Sequence, residues 1–260
     1  MLGVVMYMRL LVTSALATVM VSGAAQAADL PRKAPVVKAP VAVPFSWSGF
    51  YIGGHVGYGW GDKDWSDFFD PINDFTVLGS DTSYHVNGFL GGGQVGFNWQ
   101  SGWTVFGFEA DASWANIDGS GKGPASGGSC LQQDDGCTTK IEALGTIAAR
   151  LGVAVDRALF YAKGGAAWVH EKHTTGSHSD PILQWSGTTS ETRWGWTIGA
   201  GIEYAFAPNW SAKVEYNYLD FGKDQVTFTF TPAQTFGAGG TLEQTLHVVK
   251  FGLNYRLGAY

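Results

Sequence analysis

Eight segments of this chain alternate between large apolar side chains and small or polar ones, with a period of two residues. In the first segment, Phe50, Ile52, Val56 and Tyr58 share one face. Such a period is the signature of a β-strand, because successive side chains of a strand point to opposite faces. The predicted strands cover residues 50–60, 84–99, 103–114, 140–155, 159–171, 192–206, 210–221 and 244–257. The chain is therefore predicted to be all-β.

The connections between these segments alternate in length. The short ones are turns of three residues, at 100–102, 156–158 and 207–209. The long ones are polar and rich in glycine, at 61–83, 115–139, 172–191 and 222–243. Bacterial outer-membrane barrels have short periplasmic turns and longer external loops, whereas a soluble β-sandwich gives no reason to sort loops by length. We therefore predict an eight-stranded antiparallel, up-and-down transmembrane β-barrel with four long external loops.

One face of the predicted strands carries no Asp, Glu, Lys or Arg away from the strand ends. A face in hydrocarbon requires this, since Arg or Lys at the middle of the membrane costs about 2–4 kcal/mol. Aromatic side chains gather at both ends of this face: Trp99, Trp103, Phe206 and Trp210 near short turns, and Trp60, Trp114, Trp168 and Trp194 near long loops. These residues are the predicted aromatic girdles, and outer-membrane lipids and lipopolysaccharide are the predicted partners.

The opposite face carries acidic and basic residues in equal number. Glu109 and Asp111 alternate with Phe108 and Ala110, so both carboxylates are predicted to point into the barrel. The predicted lumen set is Glu109, Asp111, Glu142, Glu203, Glu215, Arg150, Lys163, Lys213, Lys250 and Arg256. The interior of an eight-stranded barrel is just wide enough for side chains to fill. We therefore favour an ion-pair plug over a catalytic carboxylate dyad.

The first 27 residues have the pattern of a secretory signal peptide. Arg9 precedes the apolar run "LLVTSALATVMVSG", and Ala25-Gln26-Ala27 fits a small-x-small cleavage site. A membrane anchor is the alternative, but the run is short for a membrane-spanning helix, and no later stretch is long enough either. Residues 28–45 form a predicted proline-rich periplasmic linker and 46–260 the barrel domain. A spacer is the simpler interpretation of the linker, and contact with peptidoglycan is the alternative.

Cys130 and Cys137 are the two cysteines of the chain, and both lie in the second long connection. An exported protein meets an oxidising compartment, so a local disulfide is predicted, with two free thiols as the alternative.

Two groups of residues suggest a metal site, and neither pattern is specific. His170, His173 and His178 lie near the third long connection. His170 and His173 would lie on opposite faces of a strand, which argues against a shared metal or haem iron. The first long connection is acidic but lacks the spacing of a calcium-binding loop. We therefore expect neither a metal nor another cofactor.

Several stretches resemble one family of proteins. They are "ADLPRKAP" followed by "FSWSGFYIGGHVGYGWGD", "GFLGGGQVGFNWQSGWTVFGFEADASW", "WGWTIGAGIEYAFAPNWSAKVEYNYLDFG" and "VVKFGLNYRLG". They are similar to the small alphaproteobacterial outer-membrane β-barrel proteins of the RopB type, some of which bind haemin. The resemblance implies an eight-strand barrel related to the OmpA transmembrane domain. The family has no agreed catalytic motif, so no catalytic residue is transferred.

The predicted function is structural: an integral protein of the Gram-negative outer membrane that supports the envelope and presents surface loops. A narrow porin or a haem- or ligand-binding barrel is the alternative. An enzyme is not expected. Catalysis would need Ser, His or Asp side chains that converge at the outer rim, and Asp81, Ser83 and His85 are the single near-rim group of that kind in the sequence. Nucleic acid is not an expected partner, since the net charge is −6 and no basic stripe is present.

Overall fold

The computed structural model describes residues 45–70, 75–77, 82–121, 137–177, 185–231 and 238–257. The predicted signal peptide, residues 28–44 of the linker, Cys130, His178 and Asp81 lie outside the described residues, as does the side chain of Cys137. The signal peptide, the linker and the disulfide therefore stay predictions. Within the described ranges, no helix is long and apolar enough to cross a membrane.

The described residues form nine antiparallel strands in one sheet. They are β1 (Gly49–Asp70), β2 (Phe75–Val77), β3 (Thr82–Ser101), β4 (Thr104–Gly121), β5 (Cys137–Val155), β6 (Ala158–Ser177), β7 (Trp185–Ala205), β8 (Trp210–Thr231) and β9 (Ala238–Leu257). The short β2 pairs only with the end of β1, and the other eight strands form the barrel. β9 pairs with β1 from Leu257 opposite Phe50 to Gly239 opposite Phe69, which closes the sheet. The predicted eight-stranded antiparallel barrel is confirmed.

The strands are longer than predicted at the end of the barrel where the long loops lie. The predicted loop 115–139 includes the last part of β4 and the start of β5, which pair as far as Gly121 opposite Cys137. The ladder continues although the outward side chains there are polar, as at Asp118 and Lys140. Sequence alternation shows only the apolar part of a strand, so it ended the predicted strands too early.

The two faces of the strands differ as the alternation predicts. The outward face carries large apolar side chains, among them Trp114, which is 80% exposed, and Phe89, which is 75% exposed. The predicted girdle residues Trp60, Trp99, Trp103, Trp194, Phe206 and Trp210 are exposed as well, and Trp168 is half-buried.

The interior of the barrel has apolar layers above and below a charged one. At the short-turn end, Trp47 packs with Val105, Leu159, Tyr161 and Ala205, and Phe45 contacts this group. A larger apolar cluster lies towards the long-loop end and includes Trp65, Tyr84, Val86, Ile117, Ile141, Leu144, Leu219, Leu242 and Leu246. The charged side chains of the lumen are therefore largely shielded from water at both ends.

Glu142 does not point into the lumen as predicted. Its side chain is exposed, whereas the neighbouring Ile141 is fully buried. The pairing of β5 shifts register between Ile141 and Ala143 against β6, and shifts at the same level against β4. Such a β-bulge changes the face on which the following residues lie, and simple alternation cannot predict it.

Candidate functional site

Eight of the ten predicted lumen charges form one buried network. Its members are Glu109, Asp111, Glu203, Glu215, Arg150, Lys163, Lys213 and Lys250. They come from β4, β5, β6, β7, β8 and β9, whose inward positions meet at the middle of the barrel. Four carboxylates face four cations, so the network is neutral as a whole.

Glu109 is the centre of this network, because three cations reach its carboxylate. Lys213 Nζ lies 2.9 Å from Oε1 and 2.8 Å from Oε2, and Lys163 Nζ lies 3.0 Å from Oε1. Arg150 Nη1 lies 3.3 Å from Oε2, and the hydroxyl of Tyr51 donates to the same oxygen at 2.9 Å. Both oxygens are thus satisfied without water, which lowers the cost of burying the charge.

The other three carboxylates are also multiply bonded. Glu215 accepts from Lys163 at 2.9 Å and from the Tyr161 hydroxyl at 2.7 Å. Glu203 accepts from Arg150 at 2.8 Å. Asp111 accepts from Lys250 at 2.5 Å. Charge-assisted hydrogen bonds of this kind link strands that are not neighbours in the barrel and fix the side chains that fill it.

Two tyrosines have the same arrangement, in which the ring packs against a glycine of the neighbouring strand and the hydroxyl donates to a glutamate of the network. Tyr51 lies directly opposite Gly96 in the pairing of β1 with β3, and Tyr161 lies opposite Gly201 in the pairing of β6 with β7. In each pair the tyrosine ring occupies the space that a Cβ on the glycine would need. The glycines thus allow both rings to lie flat along the wall, with their hydroxyls directed at Glu109 and Glu215.

Arg256 lies apart from the network, contrary to the prediction that it pairs with an acid. Its guanidinium donates to the backbone oxygens of Ser46 and Pro208 and lies 4.0 Å from the centre of the Phe45 ring. Over the part of the chain that the structure describes, no carboxylate lies within ion-pair distance of it. It holds the segment before β1 against the short-turn end.

A layer of neutral polar residues near the charged network was missed by the sequence analysis. His55 Nδ1 lies 2.6 Å from Gln94 Oε1, and its Nε2 lies 2.7 Å from the hydroxyl of Ser113. Gln94 in turn donates to Asn254 at 2.7 Å. The alternation places all four on inward positions, but a lumen set predicted from charge alone does not include them.

A second charged group, which we call the rim cluster, was also missed. It consists of Lys63, Glu171, His173, Glu191 and Arg193 and lies beyond the predicted girdle residues Trp60, Trp168 and Trp194. Lys63 Nζ lies 2.5 Å from Glu171 Oε2 and 2.9 Å from Gln244 Oε1. Glu171 is therefore a buried carboxylate that bonds to a buried lysine.

The two described histidines that suggested a metal site lie on opposite faces of β6. His170 points outward, where its Nδ1 lies 2.9 Å from the Thr192 hydroxyl, whereas His173 is buried in the lumen. Ser83 and His85 are exposed and bond to Asp64 and Asp62 respectively.

The amino-acid sequence matches a family profile described as the outer membrane protein beta-barrel domain, over residues 13–256. The chain belongs to this family. It is an outer-membrane protein, as the alternation and the charge-free outward face predict. The family assignment agrees with the resemblance to proteins of the RopB type.

Curated members of this family are similar over most of their length. The 31 kDa outer-membrane immunogenic protein of Brucella melitensis biotype 1 is 36% identical over 248 residues, which are 91% of this chain and 95% of that protein. The 22 kDa outer membrane protein of Rhizobium leguminosarum bv. viciae is 33% identical over 71% of this chain and 69% of its own. Both relatives are named as outer-membrane proteins, which agrees with the family match.

A solved structure of similar shape is the outer membrane protease OmpT of Escherichia coli. It has a TM-score of 0.53 and 9% identity, over 83% of this chain and 99% of that one. At this identity the likeness shows the β-barrel fold alone.

Proposed function

We propose that this protein is a structural component of the outer membrane, with a lumen that its own ion pairs close. The observation that carries the proposal is the buried network around Glu109, in which four carboxylates and four cations bond across the barrel. An open aqueous channel requires a wider barrel than eight strands provide. The outward face and loops then serve the envelope: the face anchors the barrel in lipid, and the loops are presented at the surface.

Conductance in planar bilayers tests the closed lumen. The protein from residue 28 onward, refolded in detergent, should give little or no steady current. Lys213→Ala removes one of the three cations on Glu109, and Glu203→Ala removes a partner of Arg150, so both variants should open more often. The matched control is Lys223→Ala, because Lys223 pairs with Glu243 at 3.1 Å on the exposed surface. The control should behave as the wild type does.

A large, stable, ohmic conductance from the wild-type monomer would overturn the plug and favour a narrow porin. The envelope role has its own readout. A strain that lacks the protein should become more sensitive to detergents, and plasmid-borne wild type should restore resistance. Unchanged sensitivity in that strain would contradict the structural role while leaving the closed lumen intact.

A further inference from the structure

Three buried atoms in the rim cluster lie close together without hydrogen-bond partners. They are Glu171 Oε1, His173 Nε2 and Glu191 Oε1. His173 Nε2 lies 3.3 Å from the first oxygen and 3.5 Å from the second, and all three atoms fall within 4.8 Å of one another. A buried polar atom left unpaired costs about 1–3 kcal/mol. Three such atoms that converge on one point indicate a missing partner shared by all of them.

The strand register brings the two carboxylates together. Glu171 on β6 lies directly opposite Glu191 on β7, and His173 follows two residues after Glu171 on the same inward face. Like charges directly opposite each other in a sheet destabilise it. A cation between the two carboxylates would remove that repulsion.

The lysine and the arginine of the rim cluster bond mainly to atoms other than Glu171 Oε1 and Glu191 Oε1. Lys63 bonds to the other oxygen of Glu171 and to Gln244. Arg193 uses Nη2 for backbone oxygens of β8 and β9, and its Nη1 lies 3.5 Å from Glu171 Oε1. Among the described residues, no Lys or Arg nitrogen lies within 4 Å of the Glu191 carboxylate. Arg193 therefore shares one oxygen of the group, and Glu191 is left without a basic partner.

The imidazole of His173 is held in position from its other side. Its Nδ1 lies 2.8 Å from the Thr139 hydroxyl, which lies 2.7 Å from the Tyr84 hydroxyl. The Trp65 ring lies edge-on against the imidazole at 5.5 Å between centroids. When Nδ1–H donates to Thr139, Nε2 presents its lone pair to the two carboxylates. Metal-bound histidines are commonly oriented by such a second hydrogen bond.

We propose that Glu171, His173 and Glu191 bind one divalent transition-metal ion, with zinc as the representative of the class. One imidazole nitrogen and two carboxylate oxygens form a ligand set that suits Zn²⁺ better than Ca²⁺, which prefers oxygen alone. Glu171 and His173 are 0% and 1% exposed, whereas the Glu191 side chain is 24% exposed. Glu191 thus marks the side from which an ion enters and at which a water completes the coordination. This inference goes beyond the proposed function and departs from the expectation, based on sequence, of no metal.

Zinc titration of the refolded full-length barrel tests the site. Isothermal titration calorimetry should show one Zn²⁺ bound by the wild type. His173→Gln and Glu191→Gln should each weaken this binding at least tenfold. The matched control is His170→Gln, since His170 lies on the outward face of the same strand and should leave the affinity unchanged. Co²⁺ should give visible d–d bands with the wild type and with His170→Gln, and lose them in the other two variants.

Folding is checked by the shift in gel mobility before and after boiling. If His173→Gln fails to fold, Glu191→Gln still tests the proposal, because Glu191 is partly exposed and its replacement should leave the fold intact. Equal zinc affinity in Glu191→Gln and the wild type would overturn the proposal. So would the absence of zinc binding by the folded wild type, which would leave an ion pair between protonated His173 and the two glutamates.

Discussion

Lys213 and Glu109 face each other across the lumen from β8 and β4, with Nζ 2.8 Å from Oε2, although 104 residues separate them in the chain. Removing a single partner of a buried ion pair leaves an uncompensated charge in a medium that solvates it poorly. Lys213→Met should therefore lower the free energy of unfolding by about 3 kcal/mol. Urea titration of the folded barrel, followed by tryptophan fluorescence, measures this change.

Lys223→Met is the control for that experiment. The Lys223–Glu243 pair is 3.1 Å long, but its side chains are 66% and 47% exposed. Surface pairs contribute at most about 1 kcal/mol, so the two lysine variants should differ clearly. An equal loss of unfolding free energy in the two variants would mean that the lumen network contributes no more to stability than a surface pair does.

The pairs of tyrosine and glycine predict a second effect on stability. Gly96→Ala and Gly201→Ala place a methyl group where the rings of Tyr51 and Tyr161 lie, so each ring must move away from its glutamate. Overpacking of this kind costs about 1–3 kcal/mol. The temperature at which the folded band disappears in SDS gels should fall for both variants.

Gly164→Ala is the matched control for the glycine variants. The nearest atom to a Cβ there is the Thr197 backbone oxygen at 3.6 Å, an ordinary contact. Its gel transition should stay close to that of the wild type. A fall as large as that of Gly201→Ala would show that loss of any wall glycine, and not displacement of the ring, destabilises the barrel.

Replacing a residue of the outward face with arginine should destabilise the barrel by an amount that depends on the depth of that residue in the membrane. Ile147 is exposed on the outward face and lies between the two predicted girdles, so Ile147→Arg should destabilise the barrel by about 2–4 kcal/mol. Thr174→Arg places the same side chain on an exposed outward position beyond Trp168, where the cost should be below about 1 kcal/mol. Urea titration in lipid vesicles measures both. Equal tolerance of the two arginines would contradict the assignment of this face to hydrocarbon.

Orientation in the membrane is a fourth prediction. In a protein with Cys130 and Cys137 replaced by serine, a new cysteine at Ser120 should react with an impermeant maleimide on intact cells. Ser120 lies near the long-loop end of β4, and Arg157 lies in a short turn. A cysteine at Arg157 should react only after the outer membrane has been permeabilised. The reverse pattern would place the short turns at the cell surface.

Sequence alternation predicts the face of a residue wherever the strand is regular. Glu109 and Asp111 lie inward because β4 keeps its alternation through that stretch. The prediction that Glu142 points into the lumen is wrong because a bulge of β5 lies beside it, and a single sequence contains no sign of that shift. Glu191 was missed because the predicted strand begins at residue 192, whereas Glu171 lies on the inward face at the end of the predicted strand 159–171 and was left out of the lumen set. Which acid meets which base depends on register across the lumen, and that information appears only when the barrel is closed.

The pairing of β1 with β9 makes assembly of this domain an all-or-none event. Phe50 meets Leu257, so the ladder that completes the wall joins nearly the two extremes of the folded chain. Contacts this distant in sequence form slowly, because the intervening chain must be ordered first. Until β9 is in place, the strands at either side of the gap expose unpaired amide and carbonyl groups that hydrocarbon cannot satisfy. Insertion one strand at a time would expose such groups to hydrocarbon at every intermediate stage, so the structure favours pairing of β1 with β9 as the chain enters the membrane.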